Sequence, residues 1–195
     1  MADSERIEIA LSKAKLAKLL FFSIVFLGIG LWIIIAEPEI KNSFFNNPFI
    51  KALASYGSVL MGALGIYVSG KKMFDDRPGV VIDDSGFIDN TSAFNFGLIP
   101  WSDVSEIFER TMQVSAFSKQ SFVTIALVDA EKYIMQEKNL LKRKLLTANT
   151  NSYGSPIHIS TNSLKTEHKD LLEILTKKFE GYKGQASVSN GSGIM

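Results

Sequence analysis

LLFFSIVFLGIGLWIIIA, residues Leu19–Ala36, runs for eighteen residues without a charge, and ALASYGSVLMGALGIYVSG, residues Ala52–Gly70, runs for nineteen more. A bilayer core about 30 Å thick is crossed by roughly 20 helical residues, so each run is long enough to span it. Two such runs joined by residues 37–51 predict a helical hairpin in a membrane. The first run is longer than the ~7–15-residue apolar core of a secretory leader. Glu37-Pro38-Glu39 behind it offers no small-x-small cleavage site, so it reads as an anchor.

Orientation follows from the flanks. Arg6, Lys13, Lys15 and Lys18 precede the first run, and Lys71, Lys72 and Arg77 follow the second. Only Lys41 and Lys51 lie between them. Short loops rich in Lys and Arg stay in the cytoplasm, which places both termini there. Met1–Lys18 reads as a short amphipathic helix capped by Ser4, with Ile7, Leu11 and Lys15 near one face. It serves as a basic flank that extends the first span; the alternative is an interfacial helix that senses lipid. In the outer loop, Phe44, Phe45 and Phe49 suit the headgroup region, as do Trp32 and Tyr56 near the span ends.

The second run carries a stripe of small residues. Ala54, Ser58, Gly62, Gly65 and Ser69 are spaced 4, 4, 3 and 4, which lines one side of a helix and lets another backbone come close in lipid. The partner is either the first run, where Ser23 and Gly30 lie two turns apart, or a second copy in a homo-oligomer. Gly65-Ile-Tyr-Val-Ser-Gly70-Lys71 matches the start of a phosphate-binding loop. Lys72 replaces the hydroxyl that would hold magnesium, and the glycines lie inside an apolar span, so nucleotide binding is rejected.

The 195 residues then leave room for one soluble domain, residues 73–183, of ordinary size. Net charge is +1, which supplies no field for nucleic acid, and there is no cysteine for disulfides, thiolate zinc sites or a thiol nucleophile. Asp75–Gly79 is a turn-rich linker. Val80–Ile82 and Phe87-Ile88 flank Asp83-Asp84-Ser85-Gly86, which has the residues of a tight hairpin rather than the alternating acids of a calcium loop. Leu98 and Ile99 run into Pro100, and Trp101 follows as an apolar core anchor. Ser121–Val128 reads as a central strand with both faces covered. Ala130–Ala148 reads as one helix with Ile134, Leu141 and Leu145 near one side; it carries Lys142-Arg143-Lys144, either a contact for anionic lipid or a solvated face. Pro156–Ser160 alternates as a strand. Thr166–Tyr182 places Leu171, Leu175, Phe179 and Tyr182 in one stripe of a closing helix, stopped by Gly181 and Gly184, and residues 184–195 read as a disordered tail.

Three segments carry a resemblance: V-V-I-D-D-S-G-F-I-D-N (residues 80–90), G-L-I-P-W-S-D-V (97–104) and P-I-H-I-S (156–160). A hairpin-rich β domain with these segments, closed by one C-terminal helix, resembles the pleckstrin-homology-like (PH-like) fold. With the two spans, the chain is similar to an uncharacterised family of small bacterial inner-membrane proteins bearing a PH-like domain. The resemblance implies an α+β membrane protein, with a transmembrane hairpin at 1–72 and a cytoplasmic PH-like sandwich or barrel at 73–183. It carries no catalytic residues over, and the basic helix at Ala130–Ala148 departs from a minimal PH-like sandwich.

His158 and His168 are the only histidines, and neither sits in a metal-ligand spacing. The expectation is therefore no enzyme and no cofactor. The chain reads as a membrane-anchored binding or scaffolding module that meets membrane lipids and an unknown protein partner. Two alternatives stand beside it: an immunity or inhibitor protein acting through Glu37–Lys51 and the spans, and a module that reads anionic lipid.

Overall fold

The first apolar run becomes helix because Ser12 caps it, its hydroxyl accepting the Lys15 N–H at 3.3 Å. The computed structural model describes residues 6–39, 41–42, 45–115 and 118–191. Ser4, Phe44 and residues 192–195 lie outside the described residues. Two units divide the chain: residues 11–76, and residues 1–10 together with 77–195.

The first unit is a helix pair. Helix α1 (Lys13–Ala36) ends at Glu37, whose positive φ of 42° lets its N–H close on the Ile33 carbonyl at 3.2 Å. Helix α2 (Pro48–Met73) begins with Asn47 accepting the Phe49 N–H at 2.9 Å and with Pro48, whose missing donor costs nothing in the first turn. At ~1.5 Å per residue, the two helices of 24 and 26 residues are about 36 and 39 Å long. Both are long and apolar enough to cross a membrane, and they turn most of their large apolar side chains outward.

The small-residue stripe faces α1. A Cβ on Gly62 would lie 2.7 Å from the Leu27 nitrogen, one on Gly30 would lie 2.8 Å from the Ser55 carbonyl oxygen, and one on Gly65 would strike Ser23. Ser58 Oγ donates across the pair to the Phe26 carbonyl at 2.9 Å. Ser69 is also buried, but Ala54 is exposed, and Ser55 takes the buried place expected of it. The reason is pitch: a 4-residue step advances 400°, so the stripe drifts, and Ser55 completes the face with Ser58 and Gly62. With no native cysteine, a Ser23→Cys/Gly65→Cys chain should oxidise to an intramolecular disulfide, read as faster migration on a non-reducing gel. A dimer-sized band in its place would assign the stripe to a second copy.

The second unit holds two antiparallel sheets. Strands β1 (Ile7–Ile9), β2 (Val80–Ile82), β3 (Gly86–Asp89) and β4 (Leu98–Pro100) form one, in chain order. Strands β5 (Val104–Ser115), β6 (Ser118–Leu127) and β7 (Ile157–Ile159) form the other. Neither closes into a barrel. The expected N-terminal amphipathic helix is corrected here: Ile7 lies opposite Ile82 and Ile9 opposite Val80, so the segment before the helix pair is a strand of the second unit. Ile-Glu-Ile alternates, Ile9 is buried, and its carbonyl accepts the Gly79 N–H at 2.8 Å.

The Asp83–Gly86 turn forms as expected. Asp83 Oδ1 accepts the N–H groups of Ser85 at 2.8 Å and Gly86 at 3.2 Å. The Ser85 hydroxyl, with those two amides, holds this carboxyl below its ordinary value. Asp84 points away and meets Lys178 Nζ at 3.0 Å, so the two carboxylates serve different partners. Gly86 is required because a Cβ there would overlap the Ile99 carbonyl.

β6 is central in its sheet, with two irregularities in its pairing to β5. The predicted helix over Ala130–Ala148 is two helices, α3 (Ala130–Gln136) and α4 (Leu140–Tyr153). Asn139 breaks it by capping α4, its side-chain oxygen accepting the N–H groups of Leu141 at 3.0 Å and Lys142 at 3.2 Å. Residues 149–153 continue α4 past the expected end at Ala148 until Gly154 closes it at φ 80°. Helix α5 (His168–Gly191) buries Leu171, Leu175 and Phe179 and packs against β5 and β6. It also runs through Gly181 and Gly184 into the expected disordered tail. A glycine costs a helix only about 1 kcal/mol, and a helix already nucleated on a packed stripe propagates past it.

Candidate functional site

The basic run does not form one patch. Consecutive helical residues turn by 100°, and Lys142 points to the packed side of α4, where its Nζ donates to the Ala93 carbonyl at 2.9 Å. Arg143 and Lys144 instead line an open cleft of about 580 Å³ between α3 and α4, with Ile134, Met135, Leu140 and Ala148. Lys138, in the link between the helices, is exposed. None of Lys138, Arg143 and Lys144 makes an ion pair among the described residues.

Around these cations the apolar side chains are outside. Met135 is 62 % exposed, Leu140 65 %, Leu141 69 % and Leu145 50 %. Of the leucines in α4, Leu146 alone is buried, with Thr150 and Tyr153 following on its side. α4 therefore has two apolar faces, and Leu141 and Leu145, expected near one side with Ile134, belong to the outer one while Ile134 is buried. Single exposed leucines are ordinary on a protein surface, but a contiguous group of four large apolar side chains is a contact surface in waiting.

Below that face the polar groups are braces. Asp103, in the short 3-10 turn Trp101–Asp103, accepts from Lys132 Nζ and from the Tyr133 hydroxyl, both at 2.6 Å. The Lys132 hydrogen bond, then that of Tyr133, holds the Asp103 carboxyl below its ordinary value. Burial first, and the carboxylate second, push the Tyr133 phenol up. This joins the start of β5 to α3 and fixes where the outer face points. Lys142 and Lys132 are thus occupied, which leaves Lys138, Arg143 and Lys144 as the cations available to a ligand.

His158 is a structural group in this geometry. His158 Nε2 faces the Ser155 carbonyl at 2.9 Å, so it must carry the proton, and Nδ1 then accepts from the Thr124 hydroxyl at 2.9 Å. Burial, opposed by the Ser155 bond and aided by the charge of Arg110, lowers its pKa from 6.5. The folded state therefore releases a proton that the unfolded chain holds. Its contribution is complete above about pH 6.5 and is lost as pH falls through the lower folded value. The melting temperature should drop from about pH 7.5 to about pH 5 more in the native chain than in a His158→Gln variant. Equal drops would separate His158 from acid sensitivity. His168 at the start of α5 lies 3.6 Å from Glu109 Oε1, outside hydrogen-bond distance.

Among the described residues, no three His, Asp or Glu side chains are grouped to hold a metal ion. The segment Gly65–Lys71, with its phosphate-loop spacing, is continuous helix within α2. Trp101 is 1 % exposed, in the core of the second unit. Comparison with protein-family models, with curated proteins and with solved structures finds no match to this chain.

Proposed function

We propose that this chain is a membrane-anchored binding module of the bacterial inner membrane, with both termini in the cytoplasm and a PH-like unit that presents a surface to a protein partner. The observation that carries the reading is the pairing of β1 with β2. One strand precedes the helix pair and the other follows it. If the pair crosses a bilayer, both its ends must leave on one side. The excess of Lys and Arg at those ends favours the cytoplasm. The outward-turned apolar side chains of α1 and α2 support insertion, since a water-soluble helix pair would bury them.

Two small antiparallel sheets and a closing C-terminal helix support the PH-like reading, with Asp83 in a tight turn, Trp101 in the core and His158 in β7. Within the unit, β5 is a twelve-residue edge strand whose outer side pairs with no other strand among the described residues. Such an edge takes an extended segment of a partner by main-chain hydrogen bonds. A reporter active only in the cytoplasm should work fused after Tyr182 and fail when inserted at Asn46; activity at Asn46 alone reverses the topology. A photoreactive residue in place of Glu106 in β5 should give one discrete protein adduct in cells. Its absence, with the topology intact, sinks the protein partner.

A further inference from the structure

We propose that the outer face of α3 and α4 rests on an anionic lipid leaflet, with Met135, Leu140, Leu141 and Leu145 entering the headgroup boundary and Lys138, Arg143 and Lys144 meeting lipid phosphates. This goes beyond the protein-binding edge and involves different elements. The register of α4 builds the face. Leu140, Leu141, Lys144, Leu145 and Ala148 fall on one side of the helix, away from Leu146, Thr150 and Tyr153, with Lys142 and Arg143 at its two edges. The packed side is already satisfied, so the outer leucines are not needed for the core.

Charge selects the occupant. Residues 130–153 hold five Lys and Arg against Glu131 and Glu137. Glu137 accepts the Asn139 N–H at 2.8 Å, and Lys132 and Lys142 are held by Asp103 and the Ala93 carbonyl. Glu131 is the one acid on the cleft. What remains is three unpaired cations interleaved with four exposed apolar side chains. Protein interfaces are depleted in lysine at their centres, and a second copy would bring these cations against their own kind. An anionic leaflet offers apolar chains and negative phosphates at adjacent depths, which is the pattern an interfacial helix matches. Lys and Arg stems lie along the apolar surface while their heads reach the phosphates.

The absence of cysteine makes the test clean. Leu141→Cys and Leu145→Cys full-length chains would each carry one environment-sensitive fluorophore. They would be reconstituted into phosphatidylcholine vesicles, with or without phosphatidylglycerol, containing lipid spin-labelled high on its acyl chain. Glu173→Cys, exposed on α5, is the reference. In anionic vesicles at low salt, quenching at both positions should exceed the reference by at least about twofold, and it should fall toward the reference in 1 M salt, where charges are screened beyond ~3 Å. Adding Lys138→Gln, Arg143→Gln and Lys144→Gln should have the same effect as salt. Quenching no greater than the reference in anionic vesicles overturns the proposal. So does equal quenching in neutral vesicles, which would leave charge without a role. A probe that is shielded from water but unquenched by lipid, and that responds to protein density in the vesicle, would assign the face to a second copy and overturn it as well.

Discussion

A soluble fragment from Asp76 to Lys183 should melt far below one in which Arg6–Ala10 is joined to its start by a flexible Gly/Ser linker. The shorter fragment contains the hairpin turn, the second sheet and the closing helix, yet it lacks β1. Ile9 is buried, and truncating a buried isoleucine costs about 2–5 kcal/mol, a large part of the ~5–15 kcal/mol that holds an ordinary domain together. Losing β1 also uncovers the Gly79 N–H and the Lys165 N–H, which donate to the Ile9 and Ala10 carbonyls at 2.8 and 2.9 Å. It leaves the outer row of β2 as an open edge, which invites aggregation. Thermal melting of the two fragments, with Ile9→Ala in the linked one, measures this directly. Equal midpoints for both would mean that β1 adds nothing to the unit, and the argument for one-sided entry and exit of the helix pair would lose its support.

Replacing Trp101 by alanine should destabilise the unit by about 3–5 kcal/mol, the usual cost of emptying a large buried aromatic site. The ring packs with Phe87 at 5.7 Å and Phe179 at 6.1 Å between centroids, so it joins β3 to α5. Its Nε1–H donates to the Asp83 carbonyl at 2.9 Å, tying the β2–β3 turn to the same core. A Trp101→Phe variant keeps most of the apolar volume and removes the donor. It should lose less, leaving an acceptor unsatisfied at a cost of roughly 1–3 kcal/mol. Denaturant midpoints of the three chains separate packing from hydrogen bonding. An unchanged midpoint for Trp101→Ala would contradict the burial of the ring.

The features legible in the sequence are those that a short window specifies. Chain length without charge set the two apolar helices, because the bilayer criterion counts consecutive residues. Asp83-Asp84-Ser85-Gly86 set its turn because Asp83 bonds to amides two and three residues on. Leu171, Leu175 and Phe179 set the closing helix because one periodic stripe has one face to bury. Tertiary structure decided the rest. Ile7–Ile9 is too short to signal a strand, and its partner β2 comes after the whole helix pair. Periodicity marked the apolar residues of α4 but could not say which of two apolar sides meets the core; that depended on where Asp103 holds α3 and on Asn139 restarting the helix. Ser55 took the place expected of Ala54 because α1 determines which side of α2 is inside. Lys142-Arg143-Lys144, contiguous in sequence, was divided between a backbone carbonyl and an open cleft by the 100° step of the helix.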